Sequence, residues 1–457
     1  MRVWTVVALI AMTAVACSGG EVTEDVAADV AADVVADVVA DVAGDVAEPQ
    51  TWTVNFEPGL EVRDGMRIVR LKGTAFEMGQ QHATFLNDEL KAGVAFLESN
   101  LELGALEVVA REFGFLDEAM VQSYPDIIDE CEGMVDVAGE DGWTMDRCMA
   151  LAYGEVVLDY FEAGLLQCSQ FAAVGPATTD GELIHGRNLD WGDMSFLLEY
   201  PVVIVRAPTD QIPYVVVGFP GNVAAYNGMN AAGLSIATNE NGSPNDLDRV
   251  GRSTVQTVNY MLSHFSTIDE VIDYVTTSDR MTAENMMVAS GDEKRAVVFQ
   301  MTAAHLYYEE LGDDGVNFIT NHFTVEQMTP YEDEKEPDSS TYLRYRRLRQ
   351  LLDPAYETER TDKLYGHVGV AEAASVLRDR YNPQTMTEYP KGTFDVTTGG
   401  AIAVNAAIYS IVFKPGDRMF WLAHGEKPIP DNTFRGYNLN ELFGNDPAAV
   451  AEPALVE

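Results

Sequence analysis

The sequence predicts an α+β protein, and three observations carry that reading. Short strand-like runs bounded by Gly, Pro and Asp recur from Ser169 onward. Helical patterns fall in blocks between groups of strands instead of alternating with single strands. Of the 457 residues, 47% are hydrophobic, enough for a large packed core. The expected arrangement is antiparallel sheets with helices on their outer faces.

Residues 52–72 alternate apolar and polar side chains as a strand region does, and Gly73-Thr74 opens a helical stretch from Met78 to Leu101. Two more helical stretches lie near 118–137 and 144–163, with Gly139 to Gly142 between them. Short strands follow at Ser169–Val174, Leu183–His185, Pro201–Arg206, Pro213–Phe219 and Leu234–Thr238. Helices are expected over Ser253–Phe265 and Ile268–Thr277, the second capped by Ser266 or Thr267. Strands return at 285–289, 295–301, 304–309 and 316–320, then helices at Tyr342–Leu352 and Val370–Tyr381. The last strands are near 401–413 and 418–423.

Composition excludes several functions. There are 29 Lys and Arg against 73 Asp and Glu, a formal charge of −44, which repels phosphate backbones and argues against nucleic acid as a partner. Four cysteines make no disulfide scaffold; Cys131 and Cys148 either pair or stay as buried thiols. Seven scattered histidines show no metal-ligand spacing, and P-loop, GxGxxG and GxSxG patterns are missing, so no metal or organic cofactor is expected.

The chain begins as an exported one does. Residues 1–17 read as a signal peptide, with Arg2 before the apolar run Val3–Ala16. Ala14-Val15-Ala16 fits cleavage to a soluble protein, while a small residue before Cys17 fits lipidation of that cysteine, although Ala14 stands where such sites usually carry Leu. Residues 18–51 hold nine acids, no base and Asp29, Asp33, Asp37, Asp41 and Asp45 four apart, the composition of a solvated tether. A tether favours an anchor, so the expected address is the bacterial outer membrane or periplasm, with membrane contact only through the lipid.

The densest chemistry follows. Cys168-Ser169 is separated by Asp180-Gly181, a hairpin signal, from His185-Gly186-Arg187-Asn188-Leu189-Asp190-Trp191. A hairpin returns Arg187 and Asp190 beside Cys168, where a guanidinium favours the thiolate. With Gly228-Met229-Asn230-Ala231-Ala232-Gly233-Leu234, Thr320-Asn321-His322, Ser339-Ser340 and Arg344, and the leader Gly73-Thr74-Ala75-Phe76-Glu77-Met78-Gly79-Gln80-Gln81-His82, the order resembles one family group. These are the N-terminal-nucleophile (Ntn) cysteine hydrolases of linear amides: the penicillin acyltransferase (peptidase C45), choloylglycine hydrolase and acid ceramidase relatives. The resemblance runs from about residue 70 to 425.

That resemblance implies a four-layer αββα sandwich with a mostly helical leader (52–167) ahead of a catalytic chain (168–457). It implies self-cleavage between Gln167 and Cys168, then hydrolysis or acyl transfer on a small N-acyl amide through a Cys168 thioester. An α-amine titrates near pH ~8, which suits it to act as the base for its own thiol. Arg187 would favour the thiolate, Asp190 would hold the new amine, and Asn321 would donate to the oxyanion. Asn239 or Asn241 would supply a second amide, and Arg344, or else Arg346 or Arg347, would steady the nucleophile. His185, His322, Trp191 and Phe323 read as packing or hydrogen-bonding residues.

Overall fold

The computed structural model describes residues 52–100, 108, 111–112, 114–153, 166–191, 195–241, 251–393, 399–446 and 454–457. The expected signal peptide, Cys17 and the acidic tether lie outside the described residues. The strands in chain order are β1 (Gly59–Arg63), β2 (Met66–Gly73), β3 (Leu166–Ala173), β4 (Ile184–Trp191), β5 (Val202–Pro208) and β6 (Tyr214–Gly218). Next come β7 (Asn227–Asn230), β8 (Leu234–Glu240), β9 (Glu284–Ser290), β10 (Arg295–Met301), β11 (Leu306–Glu310) and β12 (Val316–Ile319). A short pair, β13 (Tyr381–Asn382) and β14 (Thr387–Glu388), precedes β15 (Ala407–Lys414), β16 (Met419–Ala423), β17 (Phe434–Asn438) and β18 (Leu455–Val456).

Two large sheets result. The first has nine strands in the order β1-β2-β5-β6-β7-β8-β9-β10-β11, and the second has seven in the order β12-β3-β4-β15-β16-β17-β18. Side chains alternate across each strand, so every buried strand feeds two layers of core. Val203, Val205, Val215 and Val217 of the first sheet meet Leu189, Ile411, Phe413 and Leu422 of the second. Their neighbours Val202, Ile204 and Val216 turn outward onto Val258, Met261, Val271 and Val275 of the helices Thr254–His264 and Ile268–Thr277. On the far side, Phe171, Ala173, Val412 and Trp421 cover Leu348, Leu351, Ala373 and Leu377 of the helices Ser340–Leu352 and Val370–Leu377. The layers therefore read helix, sheet, sheet, helix, the αββα sandwich expected.

Local chemistry moves several boundaries. The helical stretch near 118–137 is two helices, Phe115–Gln122 and Pro125–Ala138, because Pro125 starts a helix well and cannot continue one. Met78–Leu101 also divides, into Ala75–Phe85 and Asn87–Ser99. Thr267, not Ser266, caps Ile268–Thr277, exchanging hydrogen bonds with Glu270 in a capping box. The stretch over 144–163 is described as helix only for Met145–Ala152. Of the two readings open for Cys131 and Cys148, the disulfide is formed, joining Pro125–Ala138 to Met145–Ala152.

The leader residues are built into the sandwich. Residues from Thr53 to Glu457 form one compact unit, and β2 runs parallel to β5, from Arg67 opposite Val202 to Gly73 opposite Pro208. Gly79 explains part of the leader motif: a Cβ there would sit 2.1 Å from the Glu130 carbonyl oxygen, and one on Gly133 would sit 2.1 Å from that of Phe76. The two helices touch backbone to backbone. Their closeness delivers buried Glu130 to the fully buried Arg206 of β5, which it pairs with, while His82 accepts the Gly221 N–H at 3.0 Å. Burial holds His82 below its ordinary value, so the ion pair is Glu130–Arg206. Arg206→Met strands Glu130 as a lone buried charge and is expected to cost about 3–5 kcal/mol. The shift of the guanidinium unfolding midpoint at pH 7 measures it.

Candidate active site

The β3–β4 hairpin sets the site. The connection from Val174 to Leu183 holds a 3-10 turn at Gly175–Ala177 and then Asp180-Gly181, with Gly181 at a φ of +76° and the Asp180 carboxylate accepting the Glu182 N–H. The ladder then places Gln167 opposite Asp190, Cys168 opposite Leu189 and Gln170 opposite Arg187. Gly186 is fixed by packing, since a Cβ there would lie 2.3 Å from the Phe171 ring.

Cys168 is buried and points between the sheets. Arg187, fully buried, directs Nη2 at Cys168 Sγ from 3.6 Å and donates to the Thr238 carbonyl at 2.6 Å. Its Nη1 donates to the Tyr409 hydroxyl at 3.3 Å, which also accepts from Asn227. The guanidinium was expected to favour the thiolate; in the uncut chain burial outweighs it and pushes the thiol up to about 11.

Arg344 occupies the other side of the same strand. It donates to the Cys168 carbonyl oxygen, to Ser169 Oγ at 2.8 Å, to Asn321 Oδ1 at 2.9 Å and to Ser340 Oγ at 3.0 Å. Arg347 is turned away, salt-bridged to Asp379 and Asp362. Asn321 Oδ1 also accepts the Cys168 N–H at 2.8 Å, and Asn321 Nδ2 donates to the Glu240 carbonyl at 2.7 Å. Ser340 touches the residue before the nucleophile, its hydroxyl lying 3.3 Å from Gln167 Oε1.

The two candidate amides differ in their surroundings. Asn239 is occupied at both ends, accepting from Gln170 Nε2 and donating to the Thr320 carbonyl at 3.1 Å. Asn241 is buried, and among the described residues neither side-chain atom has a hydrogen-bond partner. Asp190 is the second orphan: fully buried, with both carboxylate oxygens unbonded. Burial lifts its carboxyl to about 7, against the pull of Arg344 and Arg187.

Both motif histidines are hydrogen-bonded inside the fold. His322 Nδ1 lies 2.9 Å from Thr341 Oγ1, and burial holds the ring down at about 3. Trp191 packs edge-on to Phe219 and Tyr226, and Phe323 is in the core. No sequence pattern singles out Tyr409, Thr238 or Gln170 for a role at this site. Tyr409 arrives from a strand more than two hundred residues later, with no motif around it, so only the folded ladder reveals it. Among the described residues no group of three or more His, Cys, Asp or Glu is placed to hold a metal ion.

Residues 177–427 match the model of the family described as acyl-coenzyme A:6-aminopenicillanic acid acyl-transferase. An uncharacterized protein of Archaeoglobus fulgidus is 21% identical over 375 residues, 70% of this chain and 62% of that protein. The chain thus spans less than two thirds of that relative's length. Among solved structures, a conjugated bile acid hydrolase mutant from Clostridium perfringens is similar at 14% identity and a TM-score of 0.39, covering 63% of this chain and 98% of its own. Penicillin V acylase from Agrobacterium tumefaciens gives 13% and 0.36, covering 62% and 89%. The Caenorhabditis elegans N-acylethanolamine-hydrolyzing acid amidase ortholog gives 16% and 0.35, covering 55% and 93%.

Proposed function

We propose, for a chain that belongs to the acyl-coenzyme A:6-aminopenicillanic acid acyl-transferase family, a self-cleaving cysteine enzyme that breaks the C–N bond of small N-acyl amides. The observation that carries the proposal is the Asp190 carboxylate, buried and without a hydrogen bond opposite Gln167, at the expected cut. A buried anion with no partner is costly. Cleavage between Gln167 and Cys168 creates an α-ammonium beside it, so the charge gains its partner only in the matured protein.

In the self-cut, Cys168 Sγ adds to the Gln167 carbonyl carbon and the peptide C–N bond breaks, the thiol proton passing to the departing nitrogen. Water then hydrolyses the thioester, leaving a carboxylate on Gln167 and the free thiol and amine on Cys168. In turnover that amine takes the Sγ proton while sulfur attacks the substrate carbonyl, and passes it to the leaving amine. The acyl thioester is resolved by water, or by a second amine in acyl transfer. Arg187 draws the sulfur toward its anionic form and Arg344 holds the Cys168 carbonyl in place. Asn321 Nδ2, now on the Glu240 carbonyl, turns to the oxyanion, and of the two further amides the unpartnered Asn241 is free to join it. After the cut, the β2–β5 ladder and the Glu130–Arg206 pair hold leader and catalytic chain together. We place the enzyme outside the cytoplasm, anchored through Cys17.

A panel of N-acyl amides differing in acyl and amine halves tests this. Release of free amine is expected for at least one member; saturable binding without release would overturn the proposal. On the best substrate, Asn321→Ala should fold and lower kcat by about 10²–10³.

A further inference from the structure

A chain of polar side chains crosses the space between the two sheets, two residues from the nucleophile. Ser235 and Asn239 on β8, His185 on β4 and Gln170 on β3 are all completely buried. Their hydrogen bonds run in one direction only. Asn239 Nδ2 donates to the Thr320 carbonyl at 3.1 Å, so its Oδ1 accepts from Gln170 Nε2. Gln170 therefore offers Oε1 to His185 Nε2 at 3.1 Å, and that nitrogen must carry the ring proton. Nδ1 is then an acceptor, and the Ser235 hydroxyl, 3.0 Å away and 3.4 Å from the Ala289 carbonyl oxygen, donates to it as the nearer of the two. Burial and the neighbouring Arg187 hold the ring at about 3, so it stays neutral and the direction is kept.

The two ends of the chain matter. Gln170 lies on the same strand and face as Cys168 and opposite Arg187. Asn239 lies between Thr238, whose carbonyl holds Arg187, and Glu240, whose carbonyl holds Asn321. A slide of one sheet over the other would shift both catalytic side chains relative to Cys168. Much of the surrounding sheet-to-sheet contact is aliphatic, such as Val203, Val215, Leu189 and Ile411. Packing of that kind tolerates small displacements, whereas a directional chain of buried hydrogen bonds has one satisfied register.

We propose that Ser235, His185, Gln170 and Asn239 form a register pin that fixes the two sheets at the nucleophile, with His185 as its central positioning residue. Asn239 anchors the pin through its side chain, both ends of which are hydrogen-bonded. The proposal rests on the self-cleavage reading for its most direct readout, because that first reaction needs no added substrate.

Cell-free synthesis of the full chain, followed by intact mass, gives the rate at which the fragment beginning at Cys168 forms. His185→Phe should slow cleavage by about tenfold or more, the scale of a small misplacement of reacting groups. Ser235→Ala should slow it less, the double variant should be no slower than His185→Phe alone, and His185→Gln should recover part of the rate. Val412→Ala, a core truncation on the outer face of the second sheet, should lower the unfolding midpoint without slowing cleavage. Additive effects of the two pin variants, or equal slowing by Val412→Ala, would overturn the pin. If His185→Phe fails to fold, Ser235→Ala carries the comparison against Val412→Ala. If the wild type is never cut, the self-cleavage reading fails, and the alkylation rate of Cys168, followed by peptide mass, decides the pin separately. A rate altered by Ser235→Ala and not by Val412→Ala supports it; a rate altered by neither overturns it.

Discussion

Asp190→Asn yields a chain that is more stable before cleavage and catalytically disabled. In the uncut protein the carboxyl is raised from its ordinary 3.8 to about 7 by burial, and no hydrogen bond compensates its charge. The folded chain therefore holds a proton that the unfolded chain releases between those values. Stability from this group is intact below pH 3.8 and is lost as pH rises through about 7. In a Cys168→Ala background, which stays uncut, adding Asp190→Asn should flatten stability between pH 4 and 8. It should also raise stability at pH 8 by roughly 4 kcal/mol, the worth of a difference of that size. Denaturant midpoints at the two pH values measure this, and parallel curves with and without Asp190 would contradict it. With Cys168 intact, the same substitution removes the partner of the new α-amine, and turnover should fall by about 10²-fold or more.

Cys168→Ala has the larger effect. One sulfur is assigned both reactions, so its loss should leave a single chain ending at Glu457 with no new fragment and acyl release no faster than background. The flanking geometry does not depend on the sulfur: Arg344 still reaches the residue 168 carbonyl and Asn321 its N–H. The variant should thus fold normally, and its unfolding midpoint beside that of wild type separates loss of chemistry from loss of structure.

Much of this protein was legible in its sequence where local rules govern. The bounds of Ile268–Thr277 were readable from its apolar stripe, while its cap, open between Ser266 and Thr267 in the sequence, is decided by the Thr267–Glu270 box. The β3–β4 hairpin was readable from Asp180-Gly181, although those residues form only part of a longer connection that also holds the Gly175–Ala177 turn. What escaped is set by distant partners. β7 reads Asn-Gly-Met-Asn, poor strand formers, and is a strand because its neighbours β6 and β8 complete its ladder. At the site, Cys168, Arg187, Asp190, Asn321 and Arg344 were nameable from motifs and do converge. Arg344 was separable from Arg347 only by the helix phase that points one at β3 and the other at Asp379. Arg187 does pull the thiol down as its place in the motif implies, but burial, which no motif shows, outweighs it. The difference between Asn239 and Asn241 depends on Gln170 across the sheets, which no local pattern encodes.

The charge of the chain also takes on more meaning. Only nine of the 73 acidic residues lie in 18–51, so most of the negative charge belongs to the body that carries the site. Such a surface repels anionic membranes and polyanions.

On the proposed mechanism Cys168 becomes a chain terminus. Intact-mass measurement of the purified wild-type protein, with N-terminal sequencing of its fragments, tests this most directly. Two co-purifying chains are expected, one ending at Gln167 and one beginning at Cys168, and only the uncut chain for Cys168→Ala. A wild-type protein that stays whole while turning over an N-acyl amide would contradict it.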